Sequence, residues 1–329
     1  MKTKEIFSTI AIVLMTTLTA FATIHRVDNN AANNPDFTSA QAAHDASLSG
    51  DTLYIAGSSI SYGNLVITKT IYIFGSGYFL NENPETQVKT VSAKFGEINF
   101  NAGSDGSLLT GFHFTGYTIN INANNITIKR NLHIKIAVGN DKSNIIITQN
   151  YSAMTGPHTL IHIGSFCQNI IIRNNFFENT HPWRVISSQG SSSLEVQNNI
   201  LNGYIEVYNT LFYNNILRTV TYIGAGNDVR NNICFGNPFG TTANGNQANV
   251  DMTTVFVGTG STDGKWQLAP GSPAIGAGVN GEDCGMFGGD DSYVLSGLPN
   301  IPAIYFFDAP ISGSNIDGLP VHVKIKSHK

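Results

Sequence analysis

One short pattern recurs six times between residues 124 and 235. An alternating apolar run leads to an asparagine, and a second apolar pair follows it. The copies read NNITIKRNL, SNIIITQNY, QNIIIRNNFF, SLEVQNNIL, TLFYNNIL and NDVRNNICF. Aligned on the last asparagine before the second apolar pair, they place Asn131, Asn150, Asn175, Asn199, Asn215 and Asn232 in one column, spaced 19, 25, 24, 16 and 17 residues apart. Irregular spacing in this range predicts one structural turn per repeat with loops of variable length, which is a solenoid. Leucine-rich repeats share the length range, but their Leu-x-x-Leu-x-Leu frame is absent.

Within each copy the period is two. Ile126 and Ile128, Ile145 and Ile147, Ile170 and Ile172, and Leu194 and Val196 fall on one side of the chain. Lys129, Thr148, Arg173, Gln197, Tyr213 and Arg230 fall on the other. That alternation marks a strand with one face inside and one in solvent. Strands this short bury nothing alone, and stacking them about 4.8 Å apart closes their hydrogen bonds and builds an apolar column. Asparagine suits the corner because it tolerates the left-handed conformation of a sharp bend. Its amide also bonds to the same amide one coil away, forming a ladder. The fold class expected is all-β, a right-handed parallel β-helix, its hand set by the usual chirality of parallel crossovers.

Further coils fit upstream, in Gly-punctuated runs at 50–55, 65–67, 71–75 and 108–114. Residues 38–46 read as a short helix over the open first coil, with Thr38 as N-cap and Gln41 completing a capping box. The expected organisation is a signal peptide over 1–22, an N-terminal cap over 23–50, the β-helix over 51–252, and a C-terminal cap and tail over 253–329. The tail, 319–326, alternates like an edge strand, and its lysines suit an exposed edge.

The chain resembles the secreted pectate-lyase-like right-handed β-helix proteins of the Bacteroidetes type. The resemblance rests on the small-residue helix before SGDTLYI, the asparagine coils, and the closing segments WQLAPGSPAIGAG, DCGMFGG and YVLSGLPNIP. It implies the fold, with the Ser-Pro-Ala-Ile-Gly-Ala-Gly run lying over the last coil. For function it implies little, since this scaffold carries lyases, hydrolases and adhesins.

Lys2 and Lys4, the apolar stretch 10–18 and Ala20-Phe21-Ala22 have the layout of a signal peptide cleaved near Ala22, so the mature chain is expected to be exported, whether periplasmic, extracellular or on the outer surface. No later stretch reaches the roughly 20 apolar residues that span a bilayer. A net charge of −4 with scattered Lys and Arg gives no footprint for nucleic acid. Three cysteines, Cys167, Cys234 and Cys284, form neither a disulfide framework nor a C-x-x-C site.

Chemistry has few places to sit. Glycoside hydrolysis needs two carboxyls on one face, and only Glu195 and Asp228 share a phase, two coils apart with Leu211 between them. A lyase acting on an acidic, uronic-acid glycan needs a cation or Ca²⁺ and a base. The Lys129–Arg173–Arg230 row supplies cations, but no acidic Ca²⁺ cluster lies beside it. Glu282, Asp283, Asp290 and Asp291 lack the spacing of a known Ca²⁺ loop and read as an acidic surface turn, with a Ca²⁺ site as the alternative; no cofactor is expected. The two longest coil intervals are adjacent, and their extra residues should project on one side. They gather His158, His181, Trp183 and Arg184, with Tyr151 and His162 nearby, as ligand-binding candidates; Arg173, from the outward cation row, is a further candidate, and His162, inside an Ile-His-Ile run, reads as structural. Aromatic faces and planar donors on loops of a rigid scaffold suit sugars. The alternative is that Trp183 only covers the outward Ile146 and Ile171. The reading is a non-catalytic protein that binds polysaccharide or a cell-surface glycan, with a polysaccharide lyase and an adhesin-like rod as alternatives. Oligomeric state is not specified by these features.

Overall fold

The computed structural model describes residues 22–116, 118–316 and 318–328, so the expected signal peptide lies, apart from Ala22, outside the described residues. The chain is a parallel β-solenoid. Each coil runs along a first strip, turns the asparagine corner, and continues along a second and a third strip. The first strip is a 10-stranded sheet beginning at Ile24–Val27 and ending at Asp228–Arg230. Its register stacks like on like: Ile145 on Ile170 on Leu194, and Ile147 on Ile172 on Val196 on Phe212. The second and third strips merge into an 11-stranded sheet, because Ile200–Glu206 and Ile216–Ile223 run straight through both. The inward side chains form one continuous core from Val27 to Cys234.

The six aligned asparagines are fully buried. Each Nδ2 donates to the next Oδ1, from Asn131 to Asn150 at 3.1 Å down to Asn215 to Asn232 at 3.1 Å, and Asn232 passes the ladder on to Asn246 at 2.9 Å. From Asn150 onward each Oδ1 also accepts the backbone N–H of the asparagine one coil before, as Asn150 Oδ1 does from Asn131 N at 2.9 Å, while Asn131 Oδ1 accepts from Phe112 N at 3.1 Å. The conformational part of the expectation is corrected by one residue. The left-handed position is the residue before the ladder: Arg130, Gln149, Asn174, Asn198, Asn214 and Asn231, with φ between 50° and 57°. Turning there leaves the ladder asparagine in extended backbone with its amide pointing inward.

Those left-handed residues point outward, and the C-terminal segment hangs from them. The Ser-Pro-Ala-Ile-Gly-Ala-Gly run meets the last coil, as the resemblance implied, and the chain then climbs back along the corner. Asn231 Nδ2 donates to Ala277 O (2.9 Å), Asn198 Nδ2 to Asp283 O (3.0 Å), Asn174 Nδ2 to Gly288 O (2.7 Å), and Gln149 Nε2 to Asp291 O (2.8 Å). At the top, Arg130 Nη1 donates to Leu298 O (2.6 Å). Beneath this strap lies a second core. Leu132, Tyr151, Phe176, Ile200, Ile216 and Ile233, each next after a ladder asparagine, pack against strap residues including Val255, Phe256, Ala274, Cys284, Met286 and Tyr293. The apolar pair after each asparagine thus serves two cores: Phe177, Leu201, Leu217 and Cys234 face inward, and their predecessors face the strap.

Both ends are closed. Helix α1 (Ala40–Ala46) is capped by Ser39, whose Oγ accepts from Ala42 N, rather than by Thr38. Gln41 closes no capping box. Its amide pairs with the edge of strand Leu65–Ile67, accepting from Val66 N (2.9 Å) and donating to Val66 O (3.2 Å). At the far end Phe239 plugs the core, with its ring against Tyr222 (4.8 Å) and Phe212 (6.0 Å). An antiparallel hairpin, Ala303–Asp308 with His322–Lys326, ends the described chain. All three cysteines are free and buried, and burial pushes the Cys234 and Cys284 thiols up to about 12.

Candidate functional site

The two long intervals place their extra residues between the second and third strips, at 155–160 and 180–183. The inserts are stacked and tied together. Thr155 Oγ1 and Thr180 Oγ1 share a hydrogen bond of 2.9 Å. The organiser is Asn179, 2% exposed at the root of the second insert. Its Nδ2 donates to His158 O (2.7 Å) and Gly156 O (3.3 Å) in the first insert, and its Oδ1 accepts from His181 N (3.1 Å) in its own. Leu160 N then returns to Arg184 O at 3.0 Å, so the coils close in register below the inserts.

The next coil has no insert. Gly203 crosses the same place at φ +131°, where a Cβ would come within 2.8 Å of Asn179 O and 2.7 Å of Val185 Cγ2. That glycine lets Ile200–Glu206 run straight beneath the insert wall, and Ile216–Ile223 follows it. The step between wall and floor encloses about 480 Å³. Asn179, Thr180, His181 and Pro182 make the wall; Asn202, Tyr204, Thr219 and Thr221 lie in the floor.

Of the six candidates named from the sequence, the inserts carry three and Arg184 opens the strand after the second insert; only His181 of these four lines the concavity. His158 and Trp183 are exposed, and His181 and Arg184 half-buried. Trp183 belongs to this insert, not to the first-strip face that carries Ile146 and Ile171. Tyr151 is elsewhere. It is 3% exposed, stacked on Phe176 at 4.4 Å under the strap, with its hydroxyl accepting from Trp266 Nε1 (3.2 Å). Burial, partly offset by that bond, pushes its hydroxyl up to about 12. Arg173 also lies away from the inserts, on the first strip, bonded to Asp291 Oδ2 at 3.0 Å. His162 departs from its structural reading too. It faces solvent between the buried Ile161 and Ile163, in a separate shallow groove with Asn99, Asn120 and Asn140. Asn179, Gly203, Tyr204 and Thr221 were not singled out from the sequence. The signal for them was the 16-residue coil that follows the two long ones, since a missing insert beside two present ones creates a step.

The electrostatics are settled within the protein. Arg184 pairs with Glu206 and lies 5.5 Å from the centre of the Tyr204 ring. Arg218 pairs with Glu178 and stacks over Trp266 at 4.2 Å. Lys129 and Arg173 share Asp291, each at 3.0 Å. Arg230 pairs with Asp228 (3.0 Å), and Glu195 accepts the Tyr213 hydroxyl, so the two carboxylates considered for glycoside hydrolysis each serve a neighbour, with Leu211 in register between them. Of the C-terminal acids, Asp283 Oδ1 accepts from Gly276 N (2.9 Å) and Glu282 Oε2 from Asn214 Nδ2 (3.4 Å), which makes them parts of the strap. Among the described residues no three His, Cys, Asp or Glu side chains gather as a metal site, and no helix is long and apolar enough to cross a membrane. No protein-family model, curated protein or solved structure matches the chain.

Proposed function

We propose that the protein binds a neutral, hydroxyl-rich polysaccharide in the step between the insert wall and the strand floor, without turning it over. The observation that carries this is the charge balance. Every arginine near the inserts already faces a protein carboxylate, while the concavity itself presents the Thr219 and Thr221 hydroxyls, the His181 imidazole, the Asn202 amide oxygen and the Tyr204 ring. A sugar ring offers an apolar face to an aromatic side chain and hydroxyls to planar amides, and needs no net charge from its host. Binding an acidic glycan here would instead require Arg184 or Arg218 to leave its carboxylate, which loses a charge-assisted bond for each one gained. A lyase needs a base beside a neutralised uronate carboxylate, and the arginines that would neutralise it are engaged.

The test is electrophoresis of the folded protein through gels containing soluble glucan, xylan or mannan, with pectate and alginate in parallel. Retardation by a neutral glycan is expected, lost in Tyr204→Ala and His181→Ala variants whose melting temperatures are unchanged. Retardation by the acidic polymers alone, or retardation indifferent to both variants, overturns the assignment. So does ultraviolet absorbance from an unsaturated product, which would support the lyase.

A further inference from the structure

Among the described residues the solenoid gives the outer edges of its terminal strands partners, with one long exception. At the N-terminal end, Ile24–Val27 is covered by residues 36–37, with Asp36 N and Phe37 N both donating to Arg26 O and Asp28 N to Phe37 O. Ala93–Phe95 is covered by residues 58–62, through Ser58 N to Ser92 O and Tyr62 N to Lys94 O. Leu65–Ile67 is covered by side chains, the Gln41 amide on Val66 and His44 Nε2 accepting from Thr68 N. At the C-terminal end, Asp228–Arg230 is met at Val229 O by Asn246 Nδ2, and beyond it Asn231 N donates to Asn244 O and Cys234 N to Gln247 O. The exception is the far half of Ile216–Ile223. It pairs along its length with Ile200–Glu206, but with the last strand only through Ile216 and Leu217. Among the described residues nothing bonds to the backbone on its other side from Thr219 to Tyr222.

Which groups stand open follows from alternation. Val207 N donates to Ile223 O, so Ile223 turns its peptide groups toward the preceding coil. Alternate residues of a strand bond to opposite sides, which leaves the N–H and C=O of Val220 and Tyr222 facing out. A bulge between Leu217 and Val220 marks where this open edge begins, and beyond it the edge carries no further device that keeps edges apart. It reads Thr-Val-Thr-Tyr-Ile, with no charge, proline or glycine, whereas the tail hairpin carries Lys324 and Lys326. Thr219, Thr221 and Ile223 are exposed on its outer face.

We propose that this edge is a homodimer interface, occupied by the same edge of a second copy. A two-fold axis at Thr221 sets Val220 opposite Tyr222 of the partner, and each pair exchanges N–H and C=O in both directions as antiparallel strands do. The pairing is isologous, so one contact uses up the edge in both copies and the assembly stops at two. The covered N-terminal edges leave no complementary face for head-to-tail growth. β-Branched and aromatic residues opposite one another favour such a pair. The floor of the concavity, which includes Thr219 and Thr221, would then run on into its partner.

Sedimentation equilibrium of the whole mature chain from micromolar to submillimolar concentration tests this, with amide hydrogen exchange alongside. A monomer–dimer equilibrium is expected, with the Val220 and Tyr222 amides exchanging more slowly as the dimer fills. Thr221→Lys sets two ammonium groups against each other at the axis and should abolish the dimer. Val220→Pro removes an outward donor and no inward one, and should do the same while the fold persists by circular dichroism. A monomer at every concentration, a dimer retained by both folded variants, or open-ended assemblies of the unmodified protein each overturn the proposal.

Discussion

Replacing Asn175 by alanine tests whether the ladder holds the column together or merely decorates it. Its Oδ1 accepts from Asn150 N (2.9 Å) and Asn150 Nδ2 (3.0 Å); its Nδ2 donates to Asn199 Oδ1 (2.9 Å), Ile147 O (2.9 Å) and Arg173 O (2.8 Å). The neighbours keep some partners, since Asn150 Nδ2 still reaches Ile128 O and Asn199 Oδ1 still accepts from residue 175's own backbone N–H. Asn150 N loses its side-chain acceptor in a fully buried place. An orphaned buried donor costs about 1–3 kcal/mol, and each further bond lost about 0.5–1.5 kcal/mol net. Adding the orphaned donor to the four further bonds gives an expected loss of about 3 kcal/mol or more. The control is Asn144→Gly, in an exposed ladder at another corner, where Asn144 donates to Asn125 Oδ1 (2.8 Å) and accepts from Asn169 Nδ2 (2.7 Å). Asn144 sits at φ 58°, which glycine tolerates, so only solvent-facing bonds are lost and the change should stay near 0.5 kcal/mol. Equilibrium urea unfolding of both variants measures the difference. Because coils in a solenoid depend mainly on their neighbours, exchange at Asn150 N should accelerate more than exchange in the first coils. A loss below about 1 kcal/mol for Asn175→Ala, no larger than the control, would refute the argument that the buried amides set the register.

Two further outcomes follow from the strap and from the early coils. Asp291 receives Lys129, Arg173 and Gln149, so Asp291→Asn should destabilise the protein by about 1–3 kcal/mol; the loss should shrink in high salt, because all three charged side chains are partly exposed, and limited proteolysis should first cut the loosened strap. His113 and His133 lie with ring centres 5.5 Å apart, and burial first, then His133 and Lys94, pull His113 down from 6.5 to about 4. The folded state then binds fewer protons than the unfolded state between those values, so stability is full above pH 6.5 and is lost as pH falls toward 4. His113→Gln should flatten that decline in urea midpoints measured at intervals across the window.

The column was legible because its signals are periodic. Ile145, Ile147, Ile170 and Ile172 repeat every second residue, and the asparagines hold one phase through coils of unequal length, so strand, corner and stacking all follow from position alone. What the repeat did not disclose is directional. An asparagine pair such as Asn174-Asn175 contains one left-handed residue and one ladder residue, and composition does not say which is which. The answer depends on which amide finds an acceptor inside. The strap was half legible. Two apolar residues in succession, as at Phe176-Phe177 or Ile200-Leu201, cannot both enter one core, so the outward member required a cover. That reasoning also removes Tyr151 from any ligand site, because it occupies the outward-covered phase.

Arginine shows where reading a site from residue types alone stops. Arg173 and Arg184 are chemically suited to an acidic ligand, and a sequence offers no account of what each already touches. In the fold, Arg173 helps hold a segment more than a hundred residues away, and Arg184 is held by a carboxylate from the adjoining coil. A solenoid makes such engagement the rule, since outward side chains in register stand about 4.8 Å from their neighbours above and below. An acid two coils away is within reach of a long basic side chain, as Glu178 is for Arg218 across Asn202. Free recognition capacity therefore collects where registry is broken. At Gly203 two coils with inserts meet one without, and the groups that line the step there include an imidazole, an amide oxygen, hydroxyls and a phenol ring.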